Sequence, residues 1–216
     1  MAPLRDAHFD LKCSGMSRAM WDERYGRPGF AYGHAPNDFL VGVADRLPST
    51  GRALCLAEGE GRNAVFLAQR GLTVTAVDQS PVGLAKARTW AAEAKVDLET
   101  VATDLADFSI APASFELIVA IWCHLPQPLR GRVHRDAVQG LVPGGVLVLE
   151  AYTPAQLALR TGGPPVPELL VTLAELRVEL TGLELVHAAE LVREVHEGEY
   201  HNGQSAVVQV IGIMRA

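Results

Sequence analysis

The chain has 216 residues, about 1.4 times a typical domain of ~150, so one large domain with an appendage is expected rather than two independent units. With 49% hydrophobic and 20% charged residues, the composition is that of a folded soluble protein and excludes disorder, collagen and coiled coil. The balance of 19 Lys+Arg against 25 Asp+Glu gives −6, which disfavours broad binding to a nucleic-acid backbone, because that affinity comes from clustered cations.

In chain order, the start "MAPLRDAHFDLKCSG" lacks the apolar run of a secretory signal, and no stretch approaches the ~18 apolar residues of a membrane span. Two helices are expected next, "SRAMWDERY" and "NDFLVGVADRL", separated by the Gly- and Tyr-rich "GRPGFAYGHAP". Then short apolar runs alternate with helix-period segments, the pattern of βαβ units. "RALCLA" (52–57) reads as a strand, followed by a glycine-rich turn and the helix "RNAVFLAQR", which stops at Gly71. "LTVTAV" (72–77) is a second strand ending in Asp78. Ser80 can cap the following helix, and Pro81 suits its first position. "DLETVA" and "FELIVAIW" are further strands, "PLRGRVHRDAVQGL" is a helix ending in Pro-Gly-Gly, and "GVLVLEAY" is a fifth strand. Nearly continuous apolar strands imply a parallel sheet covered on both faces, so the fold class is α/β, doubly wound. After Tyr152 a helix is expected in "PELLVTLAELRVEL". Two strands, "LELVHAAELVREV" and "SAVVQVIGIM", then form an antiparallel pair across the turn-rich "HEGEYHNGQ". The three cysteines, Cys13, Cys55 and Cys123, are odd in number and widely spaced, with no C-x-x-C pair for a metal or redox motif, which fits a reducing, cytoplasmic compartment.

Ligands of open α/β sheets sit beyond the carboxyl ends of the strands, and four segments there carry chemistry. "LCLAEGEGRNA" matches G-x-G-x-x-G/A at Gly59, Gly61 and Ala64, although a ligand-free strand-to-helix turn has the same signature. Glu58 and Glu60 would repel a dinucleotide pyrophosphate, whereas S-adenosylmethionine offers an ammonium and a sulfonium that carboxylates tolerate or favour. Asp78, 19 positions after Gly59, can accept both ribose hydroxyls or merely support the next helix cap. Asp104 can accept an adenine amino group while Leu105 covers the ring; Asp107 competes for that role, and either is unremarkable as a turn residue. In "IWCHLP", His124 can bond substrate or cofactor, act as a general base, or be a buried structural histidine.

The run "WDERY…YG…PNDFL", "LCLAEGEGRNAVFLA", "VTAVDQS", "LADF", "CHLP", "LVPGGVLVLEAY" and "EGEYHNGQSAVVQ" resembles a class I SAM-dependent methyltransferase. Within that superfamily it resembles the small bacterial tellurite-resistance-type group, over roughly residues 17–215. The resemblance implies a Rossmann-like seven-stranded sheet, mostly parallel with the last strand antiparallel. It implies S-adenosyl-L-methionine as cofactor, with S-adenosyl-L-homocysteine as product. By position, Gly59 and Gly61 would line the methionine end, Arg24 would approach the cofactor carboxylate, Asp78 would hold the ribose, and Asp104 with Leu105 would flank the adenine. Asn63, Gln79 and Ile121 complete the implied cofactor set, and Trp21 and Tyr32 belong to an N-terminal cover. The family usually has D-x-G-x-G-x-G where this chain has Cys55 and Ala57, so Glu58 would supply the displaced carboxylate. His201 matches the histidine that faces the acceptor in that group, and His201 with Arg193 would suit an oxyanion or thiolate; His196 and Tyr200 stand near them, and an exposed polar hairpin is the plainer alternative.

These expectations amount to a single methyltransferase domain, with residues 1–50 as a helical cover, 51–152 as the cofactor-binding core, and 153–216 as a substrate-side helix and hairpin. The acceptor is expected to be a small molecule, anionic or of the thiol or chalcogen class, with His124, His201 and Arg193 as catalytic candidates and no metal. A monomer or weak homodimer without nucleic-acid or membrane partner is expected. Two rivals stay open: a non-catalytic SAM-binding protein of the same fold and, suggested by the glycine motif with Asp78, an NAD-dependent oxidoreductase.

Overall fold

A computed structural model of the protein describes residues 16–215; Cys13 lies outside them. Seven strands form one sheet, β1 (Arg52–Leu56), β2 (Thr73–Asp78), β3 (Leu98–Ala102), β4 (Phe115–Ile121), β5 (Leu141–Tyr152), β6 (Leu183–Glu197) and β7 (His201–Met214). Their order is β3-β2-β1-β4-β5-β7-β6. Only β7 runs against the others, antiparallel to both β5 and β6. Chain progression reverses between β1 and β4, the switch point where such sheets bind ligands. The near-continuous apolar runs of β1 and β4 are buried on both faces. One face carries Leu54, Ile118 and Leu147, and the other Cys55, Leu117 and Val148.

Helices α3 (Arg62–Gln69), α4 (Pro81–Glu93) and α5 (Leu129–Gly140) make the crossovers. Pro81 starts α4, with the Ser80 side chain accepting from the Gly83 N–H. Ahead of the sheet, α1 (Arg18–Tyr25) packs on α4, and α2 (Asp38–Val43) runs into a single 3-10 turn. A short α6 (Gln156–Leu159) follows β5, where none was expected from the sequence. No helix among the described residues is long and apolar enough to cross a membrane.

Three segments differ from expectation. The Pro-Gly-Gly expected to separate α5 from β5 instead lies inside β5; the strand opens at Leu141 opposite Phe115, and the register then shifts so that Leu117 meets Val146. The segment read as one helix, "PELLVTLAELRVEL", is broken into a 3-10 turn (Pro167–Leu169), an extended pair and α7 (Leu173–Glu179). Two local bonds impose the break: the Val171 N–H donates to the Tyr152 carbonyl, and Thr172 with Glu175 closes a reciprocal capping box. In the hairpin, most of "HEGEYHNGQ" is strand, since Glu197 pairs with His201 and His196 with Asn202, leaving a turn of Gly198-Glu199-Tyr200. That turn fastens to the N-terminal cover: the Glu199 N–H donates to the Ala31 carbonyl at 3.0 Å, and Arg27 donates to the Tyr200 hydroxyl at 2.9 Å.

Candidate active site

A cavity of about 420 Å³ opens at the carboxyl ends of β1, β2 and β4, under α1 and the loop after it. Its first wall is the turn after β1. Gly59 (φ +62°) and Gly61 (φ +92°) take left-handed conformations that disfavour side chains. A Cβ on Gly59 would stand 2.5 Å from the Tyr25 hydroxyl, and one on Gly61 would stand 2.6 Å from the Ala87 Cβ. Both glycines therefore seat the turn against α1 and α4, and the cavity surface itself comes from Ala57, Glu58 and Asn63.

Gly61, at the N-cap of α3, has no side chain to satisfy the helix start. Glu58 does so instead, its Oε1 accepting from the Asn63 and Ala64 N–H groups at 2.8 Å each. Asp78 accepts from the Gly59 N–H (2.9 Å) on one oxygen and the Ser80 N–H (2.8 Å) on the other. Burial lifts Glu58 to about 7 and Asp78 to about 6, against these hydrogen bonds. Neither carboxylate makes an ion pair among the described residues.

Arg24, on α1, lines the same cavity. It donates to the Tyr32 hydroxyl at 2.7 Å, and its guanidinium lies 4.3 Å from the Tyr200 ring and 4.9 Å from that of Trp21. No carboxylate pairs with it among the described residues. Leu105 and Ile121 are buried in the wall, Gln79 lines it while donating to the Met16 carbonyl, and Asp104 stands at the exposed rim with one oxygen closing its own turn onto Ala106. Asp107 lies off the cavity.

The opposite end is built from aromatic rings. Trp122 follows β4 at φ +55°, a conformation rare for a bulky residue and held here by its surroundings. Its ring stacks 4.3 Å from that of Tyr152, and its indole N–H donates to Glu197 at 2.6 Å. Glu197 also receives Arg62 at 2.7 Å and Asn37 at 2.8 Å. His201 and Arg62 hold Glu197 down at about 2 in spite of its burial. His201 lines the cavity with its Nδ1 3.4 Å from Glu197. Burial lowers the His201 pKa from its ordinary value, against the pull of Glu197. His124 also lines the cavity, but both of its ring nitrogens are buried without a hydrogen-bond partner among the described residues. Burial and the neighbouring His201 push it to about 3. His124 is therefore uncharged at neutral pH, and its ring stacks on that of Tyr152 at the cavity wall.

The expectation for Arg193 is corrected. Glu150 is fully buried in β5 and needs a cation, and Arg193 supplies it through two parallel bonds of 2.8 Å. Arg193 does not reach the cavity, and His196 is exposed on Asn202; the Arg193 and His201 pair expected to meet an anion is not assembled. Sequence reasoning missed Glu197, Arg62 and Asn37. Strand alternation carried a signal for Glu197, which shares the inward face of β6 with Val195.

Residues 53–145 match a family model described as "Methyltransferase domain". That segment, from β1 into the start of β5, is similar to methyltransferase domains. The whole chain has the class I fold of SAM-dependent methyltransferases and is similar to TehB from Haemophilus influenzae, with a TM-score of 0.70 and 17% identity over 92% of this chain and 67% of that one. It is also similar to a SAM-dependent methyltransferase from Methanosarcina mazei, with a TM-score of 0.65 and 19% identity over 80% of this chain and 96% of that one. A third similar structure is a protein studied for the conversion of a disulfide bond into a thioacetal group during echinomycin biosynthesis, with a TM-score of 0.72 and 16% identity over 91% and 89% of the two chains. None of the curated proteins matches the chain. S-adenosyl-L-methionine is the cofactor of the proteins this segment is similar to, and the cavity fits it: the buried Asp78 and half-buried Glu58, neither ion-paired among the described residues, suit a cationic ligand, and the unpaired guanidinium of Arg24 suits its carboxylate.

Proposed function

We propose that the protein is a SAM-dependent methyltransferase that transfers a methyl group to a small acceptor of the thiol or chalcogen class. The observation that carries the cofactor half is the meeting of Arg24, Glu58 and Asp78 in one cavity, none of them ion-paired among the described residues. Arg24 would hold the cofactor carboxylate, Glu58 its ammonium and Asp78 its ribose hydroxyls, with Asp104 and Leu105 at the adenine.

S-Adenosyl-L-methionine, when bound, supplies a methyl group already activated on a sulfonium. The chain's own work is then alignment and exclusion of water, which contribute about 7–11 kcal/mol to lowering such barriers without a covalent residue. Trp122, Tyr32 and Tyr200 wall the acceptor end with aromatic surface, Trp122 being backed by the buried ring of Tyr152. The cavity is at the small end of the roughly 300–1,000 Å³ range of ligand pockets, so a bound cofactor leaves room for a small acceptor only. Sulfur chemistry is supported by the similarity to the protein of disulfide-to-thioacetal conversion. With Arg193 engaged by Glu150, a pre-formed anion is the weaker member of the acceptor class.

The test follows S-adenosyl-L-homocysteine production across 2-mercaptoethanol, 4-nitrothiophenol, selenite and tellurite. Turnover on a thiol is the expected result. Cofactor binding with no turnover on any of them would favour a non-catalytic role of the same site.

A further inference from the structure

Glu197 and His201 form the closing pair of the β6–β7 hairpin, and both are buried. Glu197 cannot swing away from the histidine. Its Oε1 accepts from Asn37, and its Oε2 accepts from Arg62 and from the indole of Trp122. Asn37 is itself pinned, its N–H donating to Asn63, its Oδ1 capping α2 at Leu40, and its amide also reaching Glu150. An ionised carboxylate can only accept, so the His201 nitrogen beside it, Nδ1, carries the ring proton. Nε2 is then a bare lone pair, with no hydrogen-bond partner among the described residues, on a ring that lines the cavity. A base oriented by a second, fixed group is the arrangement that activates a protic nucleophile; the 3.4 Å separation is at the long end, as such bonds often are without substrate.

We propose that Glu197 is a positioning residue that holds His201 as a proton acceptor, and that the acceptor enters protonated, as a thiol or selenol rather than as a pre-formed anion. This rests on the methyltransferase reading of the site. The acceptor's S–H proton passes to His201 Nε2 while the new S–CH3 bond forms. The bond from the methyl group to the cofactor sulfur breaks, its electron pair remaining on that sulfur, and the imidazolium next to Glu197 returns its proton to water. An anion would instead need a free cation at this end; Arg62 is committed to Glu197 and Arg193 to Glu150, and Arg24 would be taken by the cofactor carboxylate. An alcohol lies too far from imidazole in acidity, whereas a thiol near 8.5 is within reach of it. The groups facing His201 are Glu197 from β6, Arg62 from α3, Arg24 from α1, Tyr32 from the loop after it, His124 and Trp122 after β4, and Tyr152 at the end of β5.

Nitrogen-15 NMR of the cofactor-free protein at pH 7 reads the first half directly. The expected result is a His201 ring protonated at Nδ1 and bare at Nε2, with that preference lost in Glu197→Gln; a wild-type ring protonated at Nε2 overturns the proposal. Kinetics read the second half with 2-mercaptoethanol, protonated at pH 7, and 4-nitrothiophenol, ionised there. His201→Gln is expected to lower kcat on 2-mercaptoethanol by about 10²- to 10⁴-fold and on 4-nitrothiophenol at least tenfold less. Equal losses on both, or wild-type turnover confined to selenite and tellurite, would overturn it. Calorimetry with S-adenosyl-L-homocysteine separates the two claims: a wild-type protein that fails to bind it defeats the methyltransferase reading, whereas one that binds it and methylates no thiol defeats the acceptor proposal alone.

Discussion

Replacing Arg193 with Met removes the cation opposite Glu150, a carboxylate with no exposed surface, while the arginine side chain is itself only 15% exposed. Breaking one side of a buried pair costs about 3–5 kcal/mol, because a charge is left without compensation. Two donors stay on Glu150, the amides of Asn37 and Gln209 at 2.6 Å each, so the loss should fall near the lower figure. At this chain length each kcal/mol corresponds to roughly 2–4 °C, and 3 kcal/mol to a fall of about 6–12 °C in Tm. Thermal unfolding followed by circular dichroism measures it, and calorimetry checks that S-adenosyl-L-homocysteine still binds. Changing Glu150 to Met as well should recover much of the loss, since an apolar replacement of the whole pair leaves no orphaned charge. A variant that keeps its Tm within roughly 2 °C yet loses thiol turnover would refute this reasoning and return Arg193 to the acceptor site.

Glu58 offers a pH test. Burial raises it from 4.5 to about 7, so between those values the folded chain holds a proton that the unfolded chain has released; stability falls as pH rises through this window, and the deficit is complete above it. Glu58→Gln keeps an oxygen to cap α3 and removes the charge, so its unfolding free energy relative to wild type should be higher at pH 8 than at pH 5, by on the order of 2–3 kcal/mol at about 1.4 kcal/mol per pKa unit. The same variant should bind S-adenosyl-L-homocysteine more weakly by calorimetry. Gly61→Ala places a Cβ 2.6 Å from that of Ala87 at φ +92°, and should cost about 1–3 kcal/mol in denaturant unfolding. Arg24→Gln should weaken S-adenosyl-L-homocysteine about 10- to 150-fold, the effect of losing a charged hydrogen bond worth about 1.5–3 kcal/mol, with little change in Tm because Arg24 has no carboxylate partner among the described residues.

The parallel core was legible because each strand is an apolar run bounded by its own punctuation. Gly71, Ser80-Pro81 and the glycine turn end or begin elements by rules that act within a few residues, and β1, β2 and β4 lie where those rules put them. The helix before β6 was misread because its apolar period runs on through Thr172, whose side chain supplies a start signal that outweighs the pattern. Pro143 fell inside β5 for a different reason: the register shift opposite Phe115 absorbs a residue that cannot donate to a ladder. At the site, Asp78 and Glu58 announced themselves by standing at strand ends. Arg193 and Glu197 share one face of β6, and what the sequence does not show is their place along it: Arg193 stands beside Glu150, whereas Glu197 pairs at the turn with His201, which lines the cavity. The carboxylates Glu58, Asp78, Glu150 and Glu197 thus say more by their partners than the net charge of −6 does by its sum.

The central claim is that this cavity binds an adenosyl-methionine skeleton, and titration of the full chain with S-adenosyl-L-homocysteine in a calorimeter, with NADH as the comparison ligand, tests it most directly. The account predicts saturable binding at one site per chain for S-adenosyl-L-homocysteine, weakened in Asp78→Asn, and no heat with NADH. Binding of NADH in its place, or S-adenosyl-L-homocysteine affinity indifferent to Asp78→Asn, would contradict it.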